Sequence, residues 1–282
     1  MVKRLKEVHK IIKCNFAGWF INYKIYLVLL LLLIFVLDNY TSLFEFAGQT
    51  GYRVSPYLFP FCFTHPFMRI VIFSSVIFLF SDAPFISDLQ LLLLSRTGKG
   101  KWYLAQMLYL GICCFLFTAF LAVLPVLKNI TMIAFVKDWG KVIETLADGH
   151  YDIIHPVSYD MVSRYSAWQV MGYTVCVSIL LMLFLGMILY LCNIAFSNRS
   201  IGILISAAFV LLDWFVYLTG NNRLLWISPV SWIQMSNMAY AREWGIPSAV
   251  FSVVCLVVSD VVLLVSAYFV SKRKDVVEVM NG

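Results

Sequence analysis

The sequence of 282 residues is too apolar for a soluble domain of its length. Hydrophobic residues make up 62% of the chain, charged residues make up only 13%, and the mean hydropathy is +0.86. This composition excludes a water-soluble domain and indicates an integral membrane protein. The net charge of +6 is expected to reflect membrane topology rather than a nucleic-acid partner, since no basic patch is interleaved with aromatic residues on a soluble domain.

The first 18 residues carry a helical pattern of apolar and basic side chains. The apolar positions recur at steps of three and four residues, and lysines occupy the other faces. The pattern predicts a basic amphipathic helix over 1–18 that lies along the inner membrane surface, where its lysines meet anionic lipid. A simple topology anchor and a mechanical element both remain open. The apolar positions are Val2, Leu5, Val8, Ile12 and Phe16.

Six apolar stretches are long enough to cross a bilayer as helices. A hydrocarbon core of roughly 30 Å needs about 20 helical residues, and every backbone polar group inside it must be paired within the protein. We therefore predict an all-α integral membrane protein with one transmembrane domain over 1–282. Spans one to three, with their connecting loops, occupy 20–127; 128–168 form an extracytoplasmic loop; spans four to six occupy 169–270; and 271–282 form a cytoplasmic tail. The predicted spans are 20–37, 61–80, 102–126, 170–196, 201–218 and 249–270.

The distribution of basic residues predicts the orientation. Thirteen lysines and arginines fall on one side of the predicted spans and seven on the other, where four belong to the long loop and count weakly. Both termini are therefore expected in the cytoplasm, and the chain is expected in the plasma membrane, with a bacterial cytoplasmic membrane favoured. The thirteen are Lys3, Arg4, Lys6, Lys10, Lys13, Lys24, Arg96, Lys99, Lys101, Arg199, Lys272, Arg273 and Lys274.

The loop between spans two and three predicts a short cytoplasmic helix over 82–95. Ser81 or Asp82 can cap it, Pro84 suits its first turn, and Arg96 with Gly98 suits its end. Its apolar face is broader than a solvated loop tolerates. Lipid and a protein partner are the two alternatives for covering this face; on lipid, Asp82 and Asp88 would meet an anionic leaflet, which favours a protein partner. The face comprises Phe85, Ile86, Leu89, Leu92 and Leu93.

This architecture resembles the permease subunits of ATP-binding-cassette exporters of the type-2 family. The stretch from Phe80 to Leu110 is similar to the loop and third span of bacterial members. The resemblance implies that helix 82–95 is a coupling helix, which seats in a groove of a separate cytoplasmic ATPase. It also implies a second permease copy or a paralogous partner, and outward transport of a peptide, lipid or drug. The expected ATPase interface is Asp82, Pro84, Phe85, Ile86, Asp88, Leu89, Leu92, Leu93 and Arg96.

The chain contains no phosphate-binding loop of its own. Trp102 follows Gly98-Lys99-Gly100-Lys101 where a hydroxyl would have to bind magnesium, and Ser95 stands where the first glycine belongs. ATP and magnesium are therefore expected on the partner, with no cofactor, metal or catalytic residue on this chain. The four histidines never form HExxH.

Three charges fall within predicted spans and leave alternatives open. Arg69 and Asp213 both fall in the outer half of the membrane and could pair, because an unpaired charge there is costly. The family resemblance places spans two and five around a central cavity, so Arg69, Asp213 and His65 could line a substrate path; a structural ion pair is the alternative. Asp260 lies near the middle of span six. There are two competing hypotheses. One is an ion-coupled secondary transporter that uses Arg69, Asp213 and Asp260, and the other is a membrane enzyme with its site in the 128–168 loop.

Overall fold

The computed structural model describes residues 2–85, 94–149, 157–196, 198–234 and 245–273. Within these ranges the chain is helical, apart from loops and one isolated bridge between Val54 and Ile133. Residues 94–97 are also helical. The helices are α1 (Val2–Ala17), α2 (Tyr23–Asn39), α3 (Thr41–Thr50), α4 (Pro66–Phe80), α5 (Lys99–Lys128), α6 (Gly140–Asp148), α7 (Tyr159–Arg164), α8 (Ala167–Phe196), α9 (Arg199–Thr219) and α10 (Ala249–Arg273).

Five helical stretches in the described chain have the length and apolar composition needed to cross a membrane. They are α2 with α3 (Tyr23–Thr50), α5, α8, α9 and α10. The chain is a multi-pass helical membrane protein, as its composition predicts.

Helix α4 differs from the predicted second span. The prediction begins this span at Phe61, but the α-helix begins at Pro66 and its 15 residues reach about 22 Å at ~1.5 Å per residue. Proline has no backbone N–H and pushes the preceding residue out of the helical region, so a helix cannot run back through Pro66. His65 is accordingly extended and caps α4, accepting a hydrogen bond at Nδ1 from the Phe67 N–H (3.3 Å). Phe59–Phe63 form a separate 3-10 turn.

The first span also begins later than predicted. Gly18–Phe20 form a 3-10 turn, and α2 begins at Tyr23 rather than at Phe20. The side chain of Asn22 accepts a hydrogen bond from the Lys24 N–H, which caps α2. This polar cap, rather than the start of the apolar run, fixes where the helix begins.

Helix α8 lies at the centre of the bundle and packs against α4, α5, α9 and α10. Of its most apolar stretch 67% is buried, compared with 17% for α10, so α10 is a peripheral helix with most of its surface facing outward. The start of α9 approaches α8 closely at Gly202, where a Cβ atom would lie 3.3 Å from the Leu189 Cα and 2.6 Å from the Asn193 Oδ1. Glycine allows this approach because it carries no side chain.

The described ends of the chain meet at one end of the bundle. Lys101 at the start of α5 pairs with Glu7 of α1 (2.5 Å), and Lys99 faces Lys272, near the end of α10, across a cleft. We call this the basic end. At the opposite end, α6 and α7 lie before the start of α8, and the Trp139 indole N–H donates to the Tyr165 carbonyl (2.9 Å). Residues 128–168 thus contain packed helices in their described part.

Candidate functional site

The first residues of the loop after α4 are bound by an ionic cluster at the basic end. Asp82 accepts a hydrogen bond from Lys24 Nζ at the start of α2 (2.6 Å) and another from Arg199 Nη1 at the start of α9 (2.9 Å). Lys24 Nζ also donates to the Ser81 hydroxyl (3.0 Å). We call these three charged residues the Asp82 clamp. It joins the loop to two membrane-spanning helices.

The backbone of the same segment is held by two further helices. Asn193 of α8 donates from Nδ2 to the carbonyls of Ser81 (3.2 Å) and Ala83 (2.6 Å). Gln106 of α5 donates from Nε2 to the Phe85 carbonyl (3.3 Å). Hydrogen bonds between buried polar groups hold geometry tightly, because breaking one leaves a buried group unpaired. Residues 81–85 are therefore fixed to α2, α5, α8 and α9 together.

The predicted ATPase-interface residues fall into three groups. Asp82 belongs to the clamp, Pro84 is buried, and the Phe85 ring packs edge-on against Tyr109 with centroids 4.9 Å apart. Arg96 is exposed. The remaining residues lie outside the described part of the chain: Ile86, Asp88, Leu89, Leu92 and Leu93.

The amino-terminal helix is attached to the bundle beside this loop. Val8 and Ile11 of α1 are buried against Trp102 and Ala105 of α5, with Leu94 packed on the same cluster. A cavity of about 370 Å³ separates the end of α1 from the loop, and Asn15, Trp19, Asp82, Phe85 and Arg199 are among its lining residues. Helix α1 therefore packs on protein along one face, whatever its contact with lipid.

A second polar cluster lies deep in the bundle, where Arg69 of α4 meets Asp213 of α9. The Arg69 Nε lies 2.8 Å from the Asp213 Oδ2, and the two residues are 3% and 1% exposed. The pair that the sequence left open thus forms, between α4 and α9. His65 is exposed and caps α4 outside this pair.

The remaining hydrogen-bonding groups of the pair are extensively used. Arg69 Nη1 donates to the carbonyls of Phe63 (2.6 Å) and Thr64 (3.2 Å) and to Gln234 Oε1 (3.0 Å). These carbonyls lie between the 3-10 turn Phe59–Phe63 and α4. They are available to Arg69 because the last carbonyls of a helical turn have no hydrogen-bond partner within it. Asp213 Oδ1 accepts from the Ser231 hydroxyl (2.6 Å). The geometry is that of a satisfied structural ion pair.

A small polar cavity of about 210 Å³ adjoins the pair at the opposite end. Arg69, Asp213, Tyr217, Asn221 and Gln234 are among its lining residues. The ion pair itself stays buried although it borders this cavity.

No protein-family model, curated protein or solved structure matches this chain. In the described ranges, no group of three or more His, Cys, Asp or Glu residues lies close enough to hold a metal ion.

The polar residues around the buried pair were not predicted from the sequence. Ser228, Ser231 and Gln234 follow α9 in an otherwise apolar segment, and Pro229–Ile233 form a 3-10 turn. A 3-10 helix has three residues per turn, so positions three apart share a face. This spacing of the three polar residues was the available signal.

Asp260 lies within α10 and is 7% exposed. Neither of its carboxylate oxygens has a hydrogen-bond partner in the part of the chain that the structure describes. It differs in this from Asp213, whose two oxygens are both paired. Asp260 is thus the intramembrane charge for which a role other than a fixed ion pair stays open.

Proposed function

We propose that this chain is the membrane-spanning permease subunit of an ATP-binding-cassette exporter, driven by a separate ATPase. The Asp82 clamp carries the proposal. A loop that only connects two spans needs no such attachment, whereas a loop that receives force must be fixed to the helices that move. Residues 81–85 are held by two basic side chains, from α2 and α9, and by two buried side-chain amides, from α5 and α8.

The proposed mechanism is a lever at the basic end. The orientation predicted from the basic residues puts this end in the cytoplasm. There the ATPase, which binds ATP and magnesium, would bury the apolar side chains of Leu89, Leu92 and Leu93. When the ATPase closes, the displaced loop moves four helices together, because the Asp82 clamp attaches it to α2 and α9 and the amides of Gln106 and Asn193 attach it to α5 and α8.

The cargo is proposed to be a hydrophobic or amphipathic molecule, namely a peptide, a lipid or a drug, moved outward by alternating access. A second copy of this chain or a paralogous permease would complete the pathway. The outward surface of α10, of which only 17% of the apolar stretch is buried, leaves room for such a partner or for lipid.

An ion-coupled secondary transporter is the second candidate, and Asp260 is the observation that favours it. A buried carboxylate without a partner is costly inside a membrane and is frequently functional. Arg69 and Asp213 argue against this mechanism, since a carboxylate that is already paired is a poor carrier of protons or cations. The two candidates differ in whether transport requires an ATPase.

A loop substitution tests the proposed docking. We expect Leu92→Lys, or the charge reversal Asp88→Lys, to abolish co-purification with a nucleotide-binding subunit, because a lysine in an apolar contact has no partner for its charge. Membrane insertion and expression should be unchanged. Val277→Lys, in the predicted cytoplasmic tail, is the matched control and should keep the complex.

The measurement is the stoichiometry and ATP hydrolysis of the complex purified in detergent. A chain that purifies without any ATPase, or a Leu92→Lys variant that retains it in full, would contradict the coupling role.

A further inference from the structure

Asp260 of α10 is a buried charge for which the described chain supplies no partner. Among the described residues, three charged side chains are buried: Arg69, Asp213 and Asp260. Arg69 and Asp213 pair with each other, whereas neither carboxylate oxygen of Asp260 has a hydrogen-bond partner within the same ranges. An ionised Asp260 therefore leaves an unbalanced negative charge in the interior, which is costly in a membrane unless a positive group or water reaches it.

Asp260 lies near the middle of the seam between α8 and α10. Toward the basic end, the hydroxyls of Tyr190 and Ser271 are 3.2 Å apart, and toward the opposite end Tyr173 interacts with Ser252. Along α10, Asp260 is about 16 Å from the first contact and about 12 Å from the second, at ~1.5 Å per residue. The carboxylate thus lies deep in the membrane and away from the ends of α10, where the described ranges stop.

The helices packed around Asp260 supply no positive group. Helix α10 packs on α8 and on α5. Helix α8 contains no lysine, arginine or histidine, and α5 carries lysines only at its two ends. From α5, the thiol of Cys114 lies within electrostatic reach of the carboxylate. The nearest polar pair between α5 and α8 is neutral, because it consists of the hydroxyls of Thr118 and Ser178 (3.3 Å). A positive partner for Asp260 has to come from outside these three helices.

The carboxylate is close to the lipid-facing surface although it is buried. Residues three and four positions away are its neighbours on the surface of the helix. Val257 and Leu264 hold such positions next to Asp260 and are 42% and 40% exposed. On α5, Gly111 lies one turn before Cys114, and a Cβ atom added there would meet no heavy atom within 4 Å. A molecule in the bilayer is therefore separated from the carboxylate by a single layer of side chains.

We propose that Asp260 binds the cationic group of an amphiphile that enters from the bilayer beside α10. Opposite charges attract strongly where water is scarce, and the apolar part of the molecule would stay on the exposed face of α10. The inference rests on the proposed function in one respect, namely that this amphiphile is the cargo. It narrows the cargo to molecules with a positive charge, such as a peptide or a drug that carries an amine.

The test is binding of tetraphenylphosphonium, a hydrophobic cation, by the full chain in neutral detergent. Bound cation is measured by equilibrium dialysis, and binding to protein-free micelles is subtracted. The wild type should bind it saturably, and Asp260→Asn should weaken binding by at least about tenfold. Asp260→Glu keeps the charge and should stay within about threefold of the wild type. Asp38→Asn removes an exposed aspartate from another membrane-spanning stretch and should change binding by less than about twofold.

Two further arms identify the ligand. Tetraphenylborate has the same shape and the opposite charge, and it should bind to the wild type at least about tenfold more weakly. This comparison needs no variant and therefore holds if Asp260→Asn fails to fold. Sodium or potassium in large excess should not displace the organic cation, since displacement would assign the site to a small coupling ion.

Four results would overturn the proposal. They are the absence of saturable binding, equal losses in Asp260→Asn and Asp38→Asn, equal binding of tetraphenylborate, and displacement by sodium or potassium. Because binding of the cation needs no ATPase, a negative result here leaves the Leu92→Lys co-purification test unaffected. A chain that purifies without an ATPase would equally leave the cation site in place, so the two proposals can fail separately.

Discussion

Asp213→Ala is expected to lower the free energy of unfolding by about 3–5 kcal/mol, and Arg69→Ala by a similar amount. Each change leaves one charge buried without its partner, at positions that are 3% and 1% exposed in the wild type. The measurement is unfolding in mixed micelles with a rising fraction of sodium dodecyl sulfate, for both single variants.

A double substitution separates the cost of an orphaned charge from the value of the pair. Arg69→Met with Asp213→Leu removes both charges and keeps apolar volume, so we expect much of the lost stability to return. Asp160→Ala is the control, because Asp160 pairs with Arg164 at 3.5 Å near the surface, and such pairs contribute about 0–1 kcal/mol. If the double variant were less stable than either single variant, the pair would be stabilising in itself, and the attribution of the single-variant losses to an orphaned charge would be wrong.

Asp82→Ala has the second large expected effect, on stability and on coupling. Its removal leaves Lys24 and Arg199 without their shared carboxylate, and we expect a loss on the order of 1–2 kcal/mol, since the Asp82 side chain is 32% exposed. Under the proposed function, transport should fall at least about tenfold while ATP hydrolysis continues. Paired assays of hydrolysis and transport in vesicles measure the two effects.

The control for Asp82 is another ion pair at the same end. Lys101→Gln breaks the contact with Glu7 but leaves residues 81–85 attached, so transport per ATP should stay close to the wild-type value. An Asp82→Ala protein that transports normally would show that the clamp carries no force, and equal losses in both variants would show that the basic end as a whole, rather than the clamp, matters.

Composition predicted most of the membrane helices well. Four predicted spans lie within α5, α8, α9 and α10, respectively: 102–126, 170–196, 201–218 and 249–270. Apolar length was sufficient here because a lipid environment leaves a long apolar segment few alternatives to a helix. It failed at α4, because the helix begins only at Pro66, inside an apolar run that starts earlier.

The polar contacts were predictable only where depth in the membrane decided them. Arg69 and Asp213 had similar predicted depths, so their pairing could be expected. The partners of Asp82 could not, since Lys24 and Arg199 lie 58 and 117 residues away in sequence. Phe85 shares a helical face with Leu89 and Leu92 in the sequence pattern, and that pattern does not reveal that its ring packs inward on Tyr109.

The central claim is that the segment after Phe85 contacts an ATPase in the cytoplasm. Photo-crosslinking in native membranes tests it most directly, with a benzophenone side chain at position 89 and a control at Leu104, an exposed residue of the membrane-spanning helix α5. The account predicts a protein adduct at 89 that contains a nucleotide-binding subunit, and no such adduct at 104. Adducts with lipid alone at both positions, or labelling of 89 by reagents confined to the outside of the cell, would contradict it.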